Sequence, residues 1–454
     1  MYGNAVKHYT TAGTAHAPLH NPRQPTCPPT CHQNKHMTSI SFRDIALTGC
    51  FTDSSPTLGI SVYDTRVSPW TLLQTVATPN PSWLVCHPAL PVIYAVNEVE
   101  THDGQATGAL QVYRLARNEA DQPSLTPLAT RALASGATGP THVAIDPQGR
   151  HLVVSSYSGG QFNVFALDAQ GLPGEVTHAE RPVGHGLNPD RQEAPHAHHA
   201  SCDPSGAYWL TCDLGRDRVT MMRLEASRLV RTADVTVEPG AGARHAVFHP
   251  VQPWIYVVTE MHATLVRLTY DPASGRLHYP DAGHDIVTDA NRGTSDQEAM
   301  LDEPLFDGQL FEGQLFEGGL LSLDPAWADI SLLPDGYTGE KSGSGLVMHP
   351  SGRWLYASTR RTDSTHPSAD SVSAWAIDPE AGTLSLVGRY VMALDFPRAI
   401  ALAPQGDVLY ALNQKGGSII AMAVDPDNGA LGAPTVVATT QQPTCLVWMA
   451  EPAI

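Results

Sequence analysis

The chain has 454 residues, 42% of them hydrophobic and 16% charged, the balance of an ordinary soluble globular protein. No run of about 18 apolar residues occurs, so no transmembrane helix is expected, and the first 40 residues lack the basic start and apolar core of a secretory signal. The net charge of −18 argues against nucleic acid as a partner. It is unevenly spread, however. Asp281 to Glu340 hold 14 acidic residues against one basic residue, Arg292, so this segment carries −13 of the total and a cationic pocket elsewhere is compatible with it. Seven cysteines without close framework spacing fit a reducing compartment, and a cytoplasmic setting is expected.

In chain order, residues 1–36 are rich in His, Pro, Thr and Asn without periodicity and read as a disordered extension. Cys27 and Cys31 lie near His20, His32 and His36, but their spacing is looser than that of structural zinc sites, and incidental ligands on a tail are the simpler reading. From 37 to 454 the chain reads as one domain. DIALTGCFT, GISVYDT and WTLLQTV look like three strands lacking a partner. A seven-residue pattern then recurs at the head of a strand-like segment: PSWLVCH from Pro81, PTHVAID from Pro140, AHHASCD from Ala197, ARHAVFH from Ala243, GSGLVMH from Gly343, PRAIALA from Pro397 and PTCLVWM from Pro443. Proline follows the first six copies, at intervals of 59, 57, 46, 100 and 54 residues.

Each copy is followed by further short strands, such as VIYAVN and ALQVYRL or WIYVVT and TLVRLTY, so a unit is a four-stranded antiparallel meander. A self-similar unit of this length is the signature of a β-propeller. Six complete units, plus a seventh made by PTCLVWM joining the three N-terminal strands, predict an all-β seven-bladed β-propeller. Its four-stranded blades include a last one closed by N- and C-terminal strands, which removes an open sheet edge. The long interval reflects an acidic low-complexity insertion at about 282–326, containing LFDGQ, LFEGQ and LFEGG. Phe306, Phe311 and Phe316 make it a candidate protein-docking surface, with an acidic loop grown by slippage as the plainer alternative.

In an antiparallel blade the start of the first strand and the end of the second lie on one face. The second residue of every copy is polar: Ser82, Thr141, His198, Arg244, Ser344, Arg398 and Thr444. The sixth is apolar throughout, which assigns Cys86 and Cys202 to packing. The second strands end at Asn97 and Glu98, Ser156 and Tyr157, Asp213 and Leu214, Thr259 and Glu260, Thr359 and Arg360, and Asn413 and Gln414. Together these sets place His198, Arg244, Glu260, Arg360 and Arg398 around one mouth of the channel, with His196 nearby. Converging arginines call for an anion, which guanidinium groups bind through charged hydrogen bonds. The alternative is that each arginine pairs with a neighbouring carboxylate such as Asp213 or Glu98. His196 and His198 alternate on a strand, which suits chelation, but further ligands are scattered and arginines disfavour a cation. Neither a metal nor a cofactor is expected.

On these residues the chain resembles the seven-bladed propeller lactonases, which group propeller-type 6-phosphogluconolactonases with fungal carboxymuconate-lactonizing enzymes. The matching stretches include NPSWLVCHP with YAVNE, PTHVAIDPQGRHLVVSSYSGG, PHAHHASCDPSGAYWLTCDLGRDRV, ARHAVFHP with IYVVTE, PDGYTGEKSGSGLVMHPSGRWLYASTRR, and FPRAIALAP, across about residues 45 to 450. The resemblance implies a lactone-handling site with His196 or His198, Arg244, Glu260 and Arg360. Two departures, Thr259 before Glu260 and Thr359 before Arg360, and the turn RRTDSTHPSAD adding Arg361, bear on substrate identity. The expected function is hydrolysis of a small anionic sugar lactone, first of all 6-phosphogluconolactone. His198, Glu260, Arg244 and Arg360 would be catalytic, and His196, Arg398 and Arg361 substrate-binding. A muconate cycloisomerase and a non-enzymatic binding propeller are the alternatives.

Overall fold

The computed structural model describes residues 40–280, 330–362 and 369–449. The N-terminal extension, its Cys27 and Cys31, and the acidic insertion at 282–326 with Phe306, Phe311 and Phe316 lie outside the described residues.

The described residues form seven antiparallel sheets arranged as a propeller. Blade 1 comprises Pro81–Cys86, Val92–Asn97, Ala109–Arg117 and Pro123–Ala132, from the channel outward. The inner strands of blades 2 to 6 are Pro140–Ile145, Ala197–Cys202, Ala243–Phe248, Ser342–Met348 and Pro397–Leu402. Blade 7 closes the ring: Pro443–Trp448 pairs with Ile45–Cys50, which continues to Gly59–Asp64 and Thr71–Ala77. The inner strands touch one another in ring order, blade 7 meeting blade 1.

Second strands are buried along their length because each is covered on both faces by neighbouring blades. Val92–Asn97, Tyr208–Asp213, Trp254–Thr259 and Trp354–Arg360 are buried at every residue. Outermost strands lie at the solvent side, and every residue of Thr71–Ala77 is exposed or half-buried. The core is correspondingly divided into clusters between adjacent blades. Val92, Tyr94 and Val112 of blade 1 meet Leu152, Val154 and Phe165 of blade 2, and Tyr256 and Val258 of blade 4 meet Leu355 and Ala357 of blade 5. Cys86 and Cys202, from the apolar sixth column, pack against these clusters, and burial pushes the Cys86 thiol up to about 12.

Polar staples reinforce the blade interfaces. Tyr94, Tyr256 and Tyr356 donate to the carbonyls of Gly171, Gly382 and Gly429 in the following blade, at 2.6, 2.7 and 3.0 Å. His249 bridges likewise to Gly352 O at 3.0 Å while its Nδ1 accepts from the Val251 and Gln252 amides. Tyr256→Phe strands a buried carbonyl and is expected to cost about 1–3 kcal/mol, read as a lower urea midpoint with unchanged circular dichroism.

The outer edge of blade 4 shows where the insertion enters. Leu277–His278 and Ile330–Ser331 both pair with Thr264–Tyr270, at its opposite ends and in the same antiparallel sense. One outermost strand is thus cut in two by inserted chain, and the segment leaves and re-enters at the periphery, away from the inner strands.

Candidate active site

The first residue of each repeat pairs with the end of the second strand, as Ala197 with Asp213, Ala243 with Thr259, Pro81 with Asn97 and Pro397 with Asn413. A β-bulge follows at once in the same four blades, between Ala197 and His199, Ala243 and His245, Pro81 and Trp83, and Pro397 and Ala399. A bulge opposes two residues to one and re-aims side chains. Simple alternation, which leaves only the second column facing the channel, therefore fails here: the third column enters as well. It brings Trp83, His142, His199 and His245 into mutual contact, with His142 and His199 centroids 4.2 Å apart and His199 and His245 stacked at 4.9 Å.

At the centre of the site is Glu260, 5% exposed, shared by three guanidinium groups. Its Oε2 accepts from Arg244 Nε at 2.8 Å and Arg360 Nη2 at 3.3 Å, and its Oε1 accepts from Arg191 Nη2 at 2.6 Å. The backbone of Glu260 is fixed between blades, donating to Gly242 O and accepting from Gly343 N. Arg244 also donates to Ser344 O at 2.8 Å, and Arg360 donates to Ser342 Oγ at 3.1 Å with its guanidinium over the Phe396 ring. Burial alone would raise the Glu260 carboxyl, but Arg360, Arg244 and Arg191 outweigh it and hold it well below the usual carboxylate range. Burial lowers Arg244 to about 10 and Arg360 to about 9, with Glu260 opposing; both stay charged at neutral pH. Arg191 is partly exposed, so two buried guanidiniums, Arg244 and Arg360, share one buried carboxylate, and Arg360 Nη1 is enclosed without an acceptor among the described residues.

Arg398 stands nearby, its field felt by Arg244, Arg360, His198 and Glu98. Its guanidinium lies over the Phe51 ring at 5.0 Å, and it has no salt bridge among the described residues. His198 is buried in T-shaped contact with His245 and Tyr157, and its Nδ1 has no hydrogen-bond partner among the described residues. Burial, then Arg244, hold it well below an ordinary imidazole, so it is neutral.

Two of the expected substrate-binding residues are engaged elsewhere. His196 stacks on Tyr157 at 4.4 Å, with Nδ1 at 3.0 Å from Tyr157 O and Nε2 at 3.2 Å from Glu193 Oε1. Arg361 is held by Asp370 at 2.9 Å and Asp395 at 2.8 Å. Asp370 in turn accepts the Phe396 amide, so this clamp sets the ring on which Arg360 rests.

Arg191 was not reached from the repeat, because it lies in the loop before the inner strand of blade 3 rather than at a repeat position. The signal was topological: loops joining one blade to the next arrive on the face where inner strands begin. The Asp-Leu-Gly-x-Asp-Arg element explains how that loop is held. Asp217 accepts from Gln192 Nε2 at 2.7 Å and from the amides of Gly240 and Gly242, while Asp213 accepts the His196 amide.

The family model described as lactonase, 7-bladed beta-propeller matches residues 45–296 and 325–448, covering every blade and every residue of this site. The chain belongs to that family. Among relatives of this lactonase-family chain, 6-phosphogluconolactonase of Bacillus subtilis is 24% identical over 371 residues, covering 82% of this chain and 87% of its own. The enzyme of that name from Formosa agariphila is 25% identical over 393 residues, 84% and 93% of the two chains. The solved structure of the periplasmic gluconolactonase of Pseudomonas aeruginosa superposes with a TM-score of 0.70 at 23% identity, covering 90% of this chain and 99% of that one, and supports the fold.

Glu260 is the carboxylate paired with the buried Arg244 and Arg360. Removing one partner of a buried ion pair costs about 3–5 kcal/mol. Glu260→Gln is therefore expected to destabilise the fold by that amount, measured by urea denaturation, with added chloride or phosphate restoring part of the loss.

Proposed function

We propose that this protein hydrolyses an anionic sugar lactone, with 6-phospho-D-glucono-1,5-lactone as the first candidate. The observation that carries the reading is that two buried guanidiniums, Arg244 and Arg360, share one buried carboxylate, with Arg360 Nη1 left without an acceptor among the described residues. Family membership and relatives named 6-phosphogluconolactonase support lactone hydrolysis as the reaction class.

In this reading Arg244 and Arg360 face the lactone carbonyl. As water attacks C1, negative charge gathers on the carbonyl oxygen, and preorganised donors in a water-poor site stabilise it more than they stabilise the neutral lactone. Arg398, without a carboxylate at salt-bridge distance among the described residues, takes the phosphate. Glu260 keeps the guanidiniums in place; three cations on it make it a poor base, since proton affinity falls with every neighbouring positive charge. His198 remains in contact range of the cluster as a neutral hydrogen-bonding group that orients water, and His196 with Tyr157 and Arg361 with Asp370 position the walls.

The test compares 6-phosphogluconolactone with unphosphorylated gluconolactone in wild type and Arg398→Ala. The substitution is expected to raise KM for the phosphorylated lactone at least about tenfold and leave the unphosphorylated one within about threefold. Equal effects on both would remove Arg398 from phosphate recognition.

A further inference from the structure

Glu98 stands ten residues after the proline of blade 1, the repeat position that Glu260 occupies in blade 4. In a ring of seven no two blades are farther apart, so the two carboxyls enter the channel mouth from opposite sides. The Glu98 backbone is tied at both ends to Asn80, its amide donating to Asn80 O at 2.9 Å and its carbonyl accepting from Asn80 Nδ2 at 3.3 Å. Asn80 is itself locked to Thr52 of blade 7 through three hydrogen bonds. The side chain is thus carried on a rigid seam. Arg398 and Arg244 act on the carboxyl electrostatically across the mouth. Its Oε2 is fully enclosed and has no partner among the described residues.

The two carboxyls are opposites electrostatically. Glu260 accepts three charged hydrogen bonds and stays ionised. Burial pushes the Glu98 carboxyl upward against the weaker pull of Arg398 and Arg244. Two carboxyls in one site whose environments drive their proton affinities apart carry different roles. A carboxylate held only for structure would also fill both oxygens, as Glu260 does.

We propose that Glu98 is the catalytic proton-transfer residue of this site, acting first as base and then as acid in lactone opening. The assignment rests on the lactone-hydrolase reading. Glu98 takes a proton from water as the water oxygen bonds to C1, and the carbonyl π pair moves to the oxygen facing Arg244 and Arg360. When the tetrahedral intermediate collapses, the bond from C1 to the ring oxygen breaks, its electron pair stays on that oxygen, and Glu98 returns the proton there. The product is the open hydroxy acid, whose new carboxyl releases a proton to solvent, and Glu98 is again ionised.

The experiment is a pH–rate profile of the full-length protein on freshly generated 6-phosphogluconolactone, with Glu98→Gln and Glu98→Asp beside the wild type. In the wild type kcat falls as pH drops through the Glu98 value, on a limb lying above the ordinary glutamate range. Glu98→Gln is expected to lose about 10²–10⁴-fold in kcat, to keep KM within about threefold, and to lose the acid limb. Its urea midpoint stays level or rises, because an unpaired buried carboxyl has gone. Glu98→Asp keeps the limb with a reduced kcat. An active wild type with Glu98→Gln inside threefold of it and the limb intact would overturn the proposal alone. A wild type inactive on lactones would overturn the hydrolase reading beneath it.

Discussion

Arg244→Ala is expected to lower kcat/KM for 6-phosphogluconolactone at least about 10³-fold, most of it in kcat. Removing one preorganised donor from an oxyanion site typically costs about 10²–10³, and Arg244 does more than donate. Its Nε bond to Glu260 and its bond to Ser344 O tie blade 4 to blade 5 across the site. Without it Glu260 keeps only Arg191 and Arg360. Arg244→Lys keeps the charge but not the planar fork that reaches Glu260, Ser344 and a ligand together. Its activity is expected near that of alanine. Recovery of most of the activity by lysine would show that charge alone suffices and that the geometry described here is incidental.

The second large effect is on acid stability. His142, His198, His199 and His245 are packed ring to ring beside Arg244. Burial first, and then repulsion from Arg244 and from one another, keep all four neutral well below an ordinary imidazole, with His199 at about 3. In the unfolded chain each takes up a proton as pH falls through about 6.5. The unfolded state then binds more protons than the folded one, so stability is complete above about pH 6.5 and declines as pH falls toward the folded values. Each histidine adds a slope of at most about 1.4 kcal/mol per pH unit. Glu260, also depressed, joins below its unfolded value of about 4.3. A urea midpoint that falls steeply between pH 6.5 and 5, and less steeply in His142→Phe, is the expected result. A level midpoint across that interval would contradict the buried neutral cluster.

The propeller was legible because its determinants are local and repeated. A polar second residue, an apolar sixth and a proline after the seventh recur with the unit, and an antiparallel hairpin makes strand ends coincide. That logic brings Arg244, Glu260 and Arg360 together from the sequence, and the closure of blade 7 by Pro443–Trp448 follows from two incomplete remainders. The histidine cluster was hidden by the bulge. One extra residue at Ala197–His199 or Ala243–His245 turns the third column inward, and nothing in the spacing announces it. Arg191 was hidden because it acts from a loop held by Gln192 and Asp217, contacts 25 residues apart in sequence. Glu98 was visible as a position but not as a role, since only the structure separates a carboxyl with three guanidiniums from one with an open oxygen.

The most direct test is the rate of 6-phosphogluconolactone hydrolysis by the purified full-length protein, corrected for spontaneous opening, with Arg244→Ala run in parallel. Strong acceleration by wild type is expected, almost all of it lost in the variant. Opening no faster than the spontaneous rate would contradict that expectation, and would turn attention to carboxylated muconates as the anions these arginines hold.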